Sequence, residues 1–119
     1  MDRAAFKEKL QVNQKDIEER FLGNEDFYFK MVAKVLNDPN FESLKVNVAS
    51  KNWEDAFKDA HNIKGMTANM SFNAISGIAA ELSDVLKTGN YDEAVVMPLF
   101  DRLVEVYPQL LDDIKALDN

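Results

Sequence analysis

Cysteine is absent from this chain of 119 residues. That excludes a disulfide framework, a thiol nucleophile and a Cys-ligated zinc site. Histidine occurs once, as His61, so metal centres built on two or three imidazoles are excluded as well. Basic charge is in short supply: 14 Lys and Arg against 21 Asp and Glu give a formal net charge of -7. Nucleic acids and anionic membranes are met by basic faces, so neither is expected as a partner. No apolar run approaches the roughly 18 residues of a membrane span. The opening Met1-Asp2-Arg3-Ala4-Ala5-Phe6-Lys7 has no signal-peptide apolar region, and a cytoplasmic location is expected. Prolines number three and glycines four. With no low-complexity tract, repeat or linker, one domain over 1–119 is expected.

Helical periodicity fills the space that these absences leave. Period-two alternation is missing, while apolar residues recur at helical spacing. Short helices are expected over about 2–11 and 14–22, the second stopped by Gly23. Asn24 is a candidate N-cap for a helix over 25–37, with Glu25 and Asp26 favoured in its first turn. Its Tyr28, Val32, Val35 and Leu36 are expected to share a face. Asp38-Pro39 reads as a stop followed by a new start, with Pro39 at the first position of a helix over 39–50.

Further on, Trp53, Ala56, Ala60, Ile63, Thr67 and Met70 are spaced 3, 4, 3, 4, 3 along a helix over 52–70. This is the seam of a helix packed in a bundle. A helix over 73–87 carries Ile75, Ile78, Ala79, Leu82, Val85 and Leu86 on one face. Thr88-Gly89-Asn90 supplies a turn, and a last helix over 91–117 keeps its apolar phase through Pro108. The expected fold class is all-α. It is an antiparallel four-helix bundle, its core about 25–117, with one or two short N-terminal capping helices. No second apolar face is evident, so a monomer is expected.

The stretch "DAHNIKGMTANMSF" holds the single histidine and, four residues on, a glycine in mid-helix. At 100° per residue, His61 lies about 130° from the mean direction of the seam and Gly65 about 170°. Lys58 is nearly opposite the core, Ala68 at about 110°, Phe57 at about 90° and Lys64 at about 70°. His61 is therefore expected on the solvent side, beside a position without a side chain and within one turn of two cations. Taken singly, each feature has a plain explanation: a polar surface histidine, an incidental glycine, solubilising lysines. Together they describe an imidazole that another macromolecule can approach closely and that favours an attached anion. A second catalytic group and a nucleotide loop are missing, which argues against an enzyme acting alone.

"AHNIKGMTANMS" resembles the signature of histidine-containing phosphotransfer (HPt) domains. Ala60, His61, Ile63, Lys64, Gly65, Thr67 and Met70 fill the pattern, while Ser71 stands where glycine is commoner. The upstream "ASKNWEDAFKDAH" has the family's turn, aromatic and small-residue seam. The resemblance implies a phosphorelay carrier. His61 would accept a phosphoryl group from a receiver-domain phospho-aspartate and pass it to another receiver aspartate. Lys64 would neutralise phosphoryl charge, and Gly65 would leave clearance for the partner. Phe57, Lys58 and Ala68 would contribute to docking, with Phe72 or Ile75 as further candidates. Implied partners are response-regulator receiver domains and a hybrid histidine kinase. No cofactor is implied for this chain; Mg is expected only on the partner receiver. The resemblance implies a phosphocarrier without kinase motifs. The alternative is a pseudo-HPt module or helical adaptor that binds a regulatory partner without carrying phosphate, and retention of His61, Lys64 and Gly65 together argues against it.

Overall fold

The computed structural model describes residues 1–89 and 91–118. Its described residues form seven α-helices and no strand. In chain order these are α1 (Arg3–Leu10), α2 (Gln14–Phe21), α3 (Glu25–Lys34), α4 (Asn40–Ala49), α5 (Trp53–Asn69), α6 (Asn73–Lys87) and α7 (Glu93–Lys115). A 3-10 turn, Val35–Asn37, follows α3. Four helices start where a carboxylate or amide side chain accepts an otherwise unpaired N–H. Asp2 accepts from Ala5, Asn13 from Lys15, Asn24 from Phe27 and Asp92 from Ala94. Asp92 therefore starts α7 two residues later than expected. This leaves Tyr91 outside the helix, where its ring stacks on Trp53.

The bundle is built around α5. It packs against α4 on one flank and α6 on the other, α6 packs in turn on α7, and α3 with its 3-10 turn also lies against α7. Phe41 of α4 stacks on Tyr107 of α7 with centroids 4.3 Å apart, which closes the ring. Short turns join α5 to α6 and α6 to α7, as in an antiparallel bundle. The helices expected over 25–37 and 39–50 are α3 with its 3-10 turn and α4, separated at Asp38-Pro39. Pro39 caps α4 and is not its first residue, and the Asp38 carboxylate accepts the Asn40 N–H at 2.8 Å.

The structure adds to or differs from the sequence reading at three points. Leu36 is exposed and does not share the face of Val35, because a 3-10 turn advances about 120° per residue and rotates the stripe out of phase. Pro98 joins Pro108 inside α7; the helix continues through both, since the buried Val96, Leu103, Tyr107, Leu110 and Ile114 hold its phase. The apolar core also reaches further toward the N-terminus than residue 25, with Phe6, Leu10 and Ile17 buried in it. Phe6 meets Phe29 and Phe72 edge-on at 5.8 and 5.9 Å. Burying such side chains contributes about 1.5–3 kcal/mol each, enough to hold helices of eight residues that would not persist alone. In the turn after α6, Gly89 has a φ of 75°, while the expected contribution of Asn90 lies outside the described residues.

Candidate functional site

The site follows from how α5 is seated. Ala56, Ala60, Ile63 and Thr67 are fully buried. Two alanines in this seam let neighbouring helices come close, and the Thr67 hydroxyl donates back to the Ile63 carbonyl at 2.8 Å, so no polar group in the seam is left unpaired. With that face fixed inward, His61 points outward and is exposed. Phe57, half-buried and packed on the core, meets the imidazole ring at 5.8 Å between centroids. One turn in the other direction is Gly65, exposed, where an added Cβ would find nothing within 4 Å. No neighbour among the described residues therefore requires glycine at this position.

Lys58 and Lys64 lie three residues before and after His61 on α5, and the structure pairs both. Lys58 meets Asp55 of its own helix at 3.7 Å, and Lys64 meets Asp84 of α6 at 3.8 Å. Ala68 is exposed further along the same side of α5. Its carbonyl accepts the Arg20 guanidinium at 2.6 Å, and the next carbonyl, Asn69, accepts at 3.2 Å. These carbonyls belong to the last turn of α5, where a cation is favoured. Of the further docking candidates, Phe72 and Ile75 are buried in the core and present no surface.

Several residues around the site have no counterpart in the sequence expectations. Asp59, two positions before His61, is buried and accepts from Ser43 at 2.8 Å and from Asn47 at 2.7 Å, tying α5 to α4. Its phase offers the signal: it lies about 70° from the seam, on the flank opposite Lys64. Asn62 extends the same tie by donating to Asn40 at 3.1 Å. Arg20 and Asp84 carried no local signal, because each acts on α5 from another helix. Near Arg20, Leu22 is 90% and Phe27 47% exposed, an apolar spot at the α2–α3 corner.

The match of the chain to a known family model covers residues 29–119, and the model is that of the Hpt domain. The chain belongs to the Hpt domain family. Comparison with curated proteins and with solved structures gave no match. Hpt domains are phosphotransfer modules of phosphorelays, phosphocarriers rather than kinases, and they act with receiver domains. The helical bundle described above is consistent with this family. The match runs from Phe29 in α3 to the C-terminus. In this Hpt domain α1 and α2 precede the matched stretch, yet they share its core and, through Arg20, its α5 terminus. No helix among the described residues is long and apolar enough to cross a membrane.

Proposed function

We propose that this Hpt domain carries a phosphoryl group on His61 between receiver-domain aspartates. The observation that carries this reading is the pairing of an exposed imidazole with Gly65, a helix-weakening residue that no packing within the chain demands. The clearance serves something outside the chain, and a receiver brought against the ring is such a partner. Salt bridges on this face engage Lys58 and Lys64 and leave His61 out, so the ring is available as a nucleophile. A neutral imidazole is nucleophilic through its unprotonated ring nitrogen.

In the forward step the lone pair of Nε2 attacks the phosphorus of the aspartyl phosphate in line. The N–P bond forms as the P–O bond to the aspartyl carboxylate breaks, and the carboxylate leaves with the electron pair. The proton on Nδ1 stays on the ring. The reverse step on a second receiver restores His61. Such transfer depends on positioning and charge neutralisation. Phe57, tilted against the ring at 5.8 Å between centroids, helps to orient it, and Lys64 offers a cation one turn away. Phe57, Lys58 and Ala68 form the near docking surface, and the receiver brings its own Mg.

The test is label transfer from a phosphorylated receiver domain. Wild-type protein should acquire acid-labile label, and His61→Gln should acquire none. Equal labelling of the variant would place the acceptor elsewhere, and absence of transfer from every cognate receiver would refute the carrier reading.

A further inference from the structure

Neither lysine beside His61 stands free, and their two pairings differ in kind. Asp55 and Lys58 share α5, so that pair travels with the helix that carries it. Asp84 comes from α6, whose rotation is set by the buried Leu82, Ser83 and Leu86 around it. Core packing therefore fixes the backbone position from which Asp84 reaches the flank of α5. Helical side chains lean toward the N-terminus of their helix. Lys64, three residues past His61, leans by that rule toward the turn that carries it, and its ammonium meets Asp84 at 3.8 Å. The two charges cancel locally, in a protein whose net charge is already -7.

A phosphoryl group on His61 would bring a charge of roughly -1.5 to -2 to this place. It would draw on the same ammonium that Asp84 holds and would be repelled by the Asp84 carboxylate. We propose that Asp84 is a positioning residue that competes with the phosphoryl group for Lys64 and so weakens the hold of His61 on its cargo. The competition keeps the carrier ready to release the group to the next receiver. This inference rests on the carrier reading above and adds a setting of its transfer equilibrium. Lys64 and Asp84 are 42% and 69% exposed, so solvent screening keeps the effect modest.

Phosphoramidate tests it without a receiver. Nε2 attacks its phosphorus, the reagent's P–N bond breaks, and the leaving nitrogen takes up a proton as ammonia. The ratio of phosphorylated to free His61 is read by phosphorus NMR at matched phosphoramidate and ammonium concentrations. Asp84→Asn should raise that ratio about two- to five-fold. The gain should shrink at high salt, be clearly smaller when Lys64→Ala is already present, and be absent in Asp84→Glu. An unchanged ratio in Asp84→Asn, with wild type labelled at His61, overturns this inference alone. A gain undiminished in Lys64→Ala also overturns it. Absence of label on wild type, or equal label on His61→Gln, overturns it together with the carrier reading.

Discussion

The hydroxyl of Ser71 donates to the Asp16 carboxylate at 2.7 Å and accepts the Asn13 N–H at 2.9 Å, joining the end of α5 to the start of α2. Asn73 donates to the same oxygen at 3.2 Å. The backbone of Ser71 is left-handed, with a φ of 59°. That conformation costs a residue with a Cβ about 1–2 kcal/mol, which accounts for glycine being commoner here in the HPt signature. Serine accepts the strain and anchors the N-terminal helices in return.

Ser71→Ala keeps the strain and loses the anchor, so it should destabilise the fold by about 1–3 kcal/mol. Ser71→Gly loses the same hydrogen bonds but relieves the backbone, so its loss should be smaller by about 1 kcal/mol. Urea midpoints for the two variants check the order. A glycine variant as unstable as the alanine one would show that the backbone strain has no weight.

Gly65→Ala should stabilise the isolated protein by about 0.5–1 kcal/mol, since alanine is the better helix former and its methyl group meets nothing. The same variant should slow phosphoryl transfer from a receiver yet leave reaction with phosphoramidate unchanged, because only the larger donor needs the clearance. Gly77→Ala, also in open space on a helix, serves as the control for helix propensity. Transfer from the receiver at the wild-type rate would show that Gly65 gives no clearance.

Two buried tyrosines should respond in opposite ways to loss of their hydroxyl groups. Tyr28 donates to the Met70 carbonyl at 2.7 Å, at the C-cap of α5, and Tyr28→Phe should cost about 1–2 kcal/mol. The Tyr107 hydroxyl is buried without a protein partner among the described residues, so Tyr107→Phe should be neutral or stabilising. Burial pushes both phenols well above their ordinary range, with Asp16 adding to the rise at Tyr28 and Asp38 at Tyr107. Above about pH 10 the unfolded chain releases these protons while the folded chain keeps them, so stability falls as pH rises. Each tyrosine should contribute a slope of about 1.4 kcal/mol per pH unit there. Denaturant midpoints from pH 9 to 11 should therefore decline less steeply for Tyr107→Phe than for wild type.

Asp59→Ala leaves two half-buried donors, Ser43 and Asn47, without their acceptor. The expected loss is about 2–4 kcal/mol, since hydrogen bonds to a charged group are the stronger kind. A double-mutant cycle with Asn47→Ala should show coupling of at least about 0.5 kcal/mol. Additive losses would mean that the contact does not tie the two helices.

Much of this site is visible in one dimension because α5 is a regular helix. Its seam of Ala56, Ala60, Ile63 and Thr67 sets a direction, and a 3.6-residue period then dictates that His61 and Gly65 face away from it. Leu36 shows the limit of that reasoning, as one 3-10 turn was enough to rotate it out of the stripe. Phe72 and Ile75 show another limit. Both lie near the site in sequence, but the antiparallel return of α6 turns them inward.

By itself the amino-acid sequence determined the helices, the buried seam and the outward side of the lone histidine, since these depend on local spacing. Tertiary structure decided which charges and hydrogen bonds surround that histidine. Lys64 met Asp84, Asp59 met Ser43 and Asn47, and Arg20 met the last carbonyls of α5. Each partner comes from a different helix, and its arrival depends on how the helices are rotated and offset against one another. Core packing sets those rotations across the whole bundle, and no local period contains them.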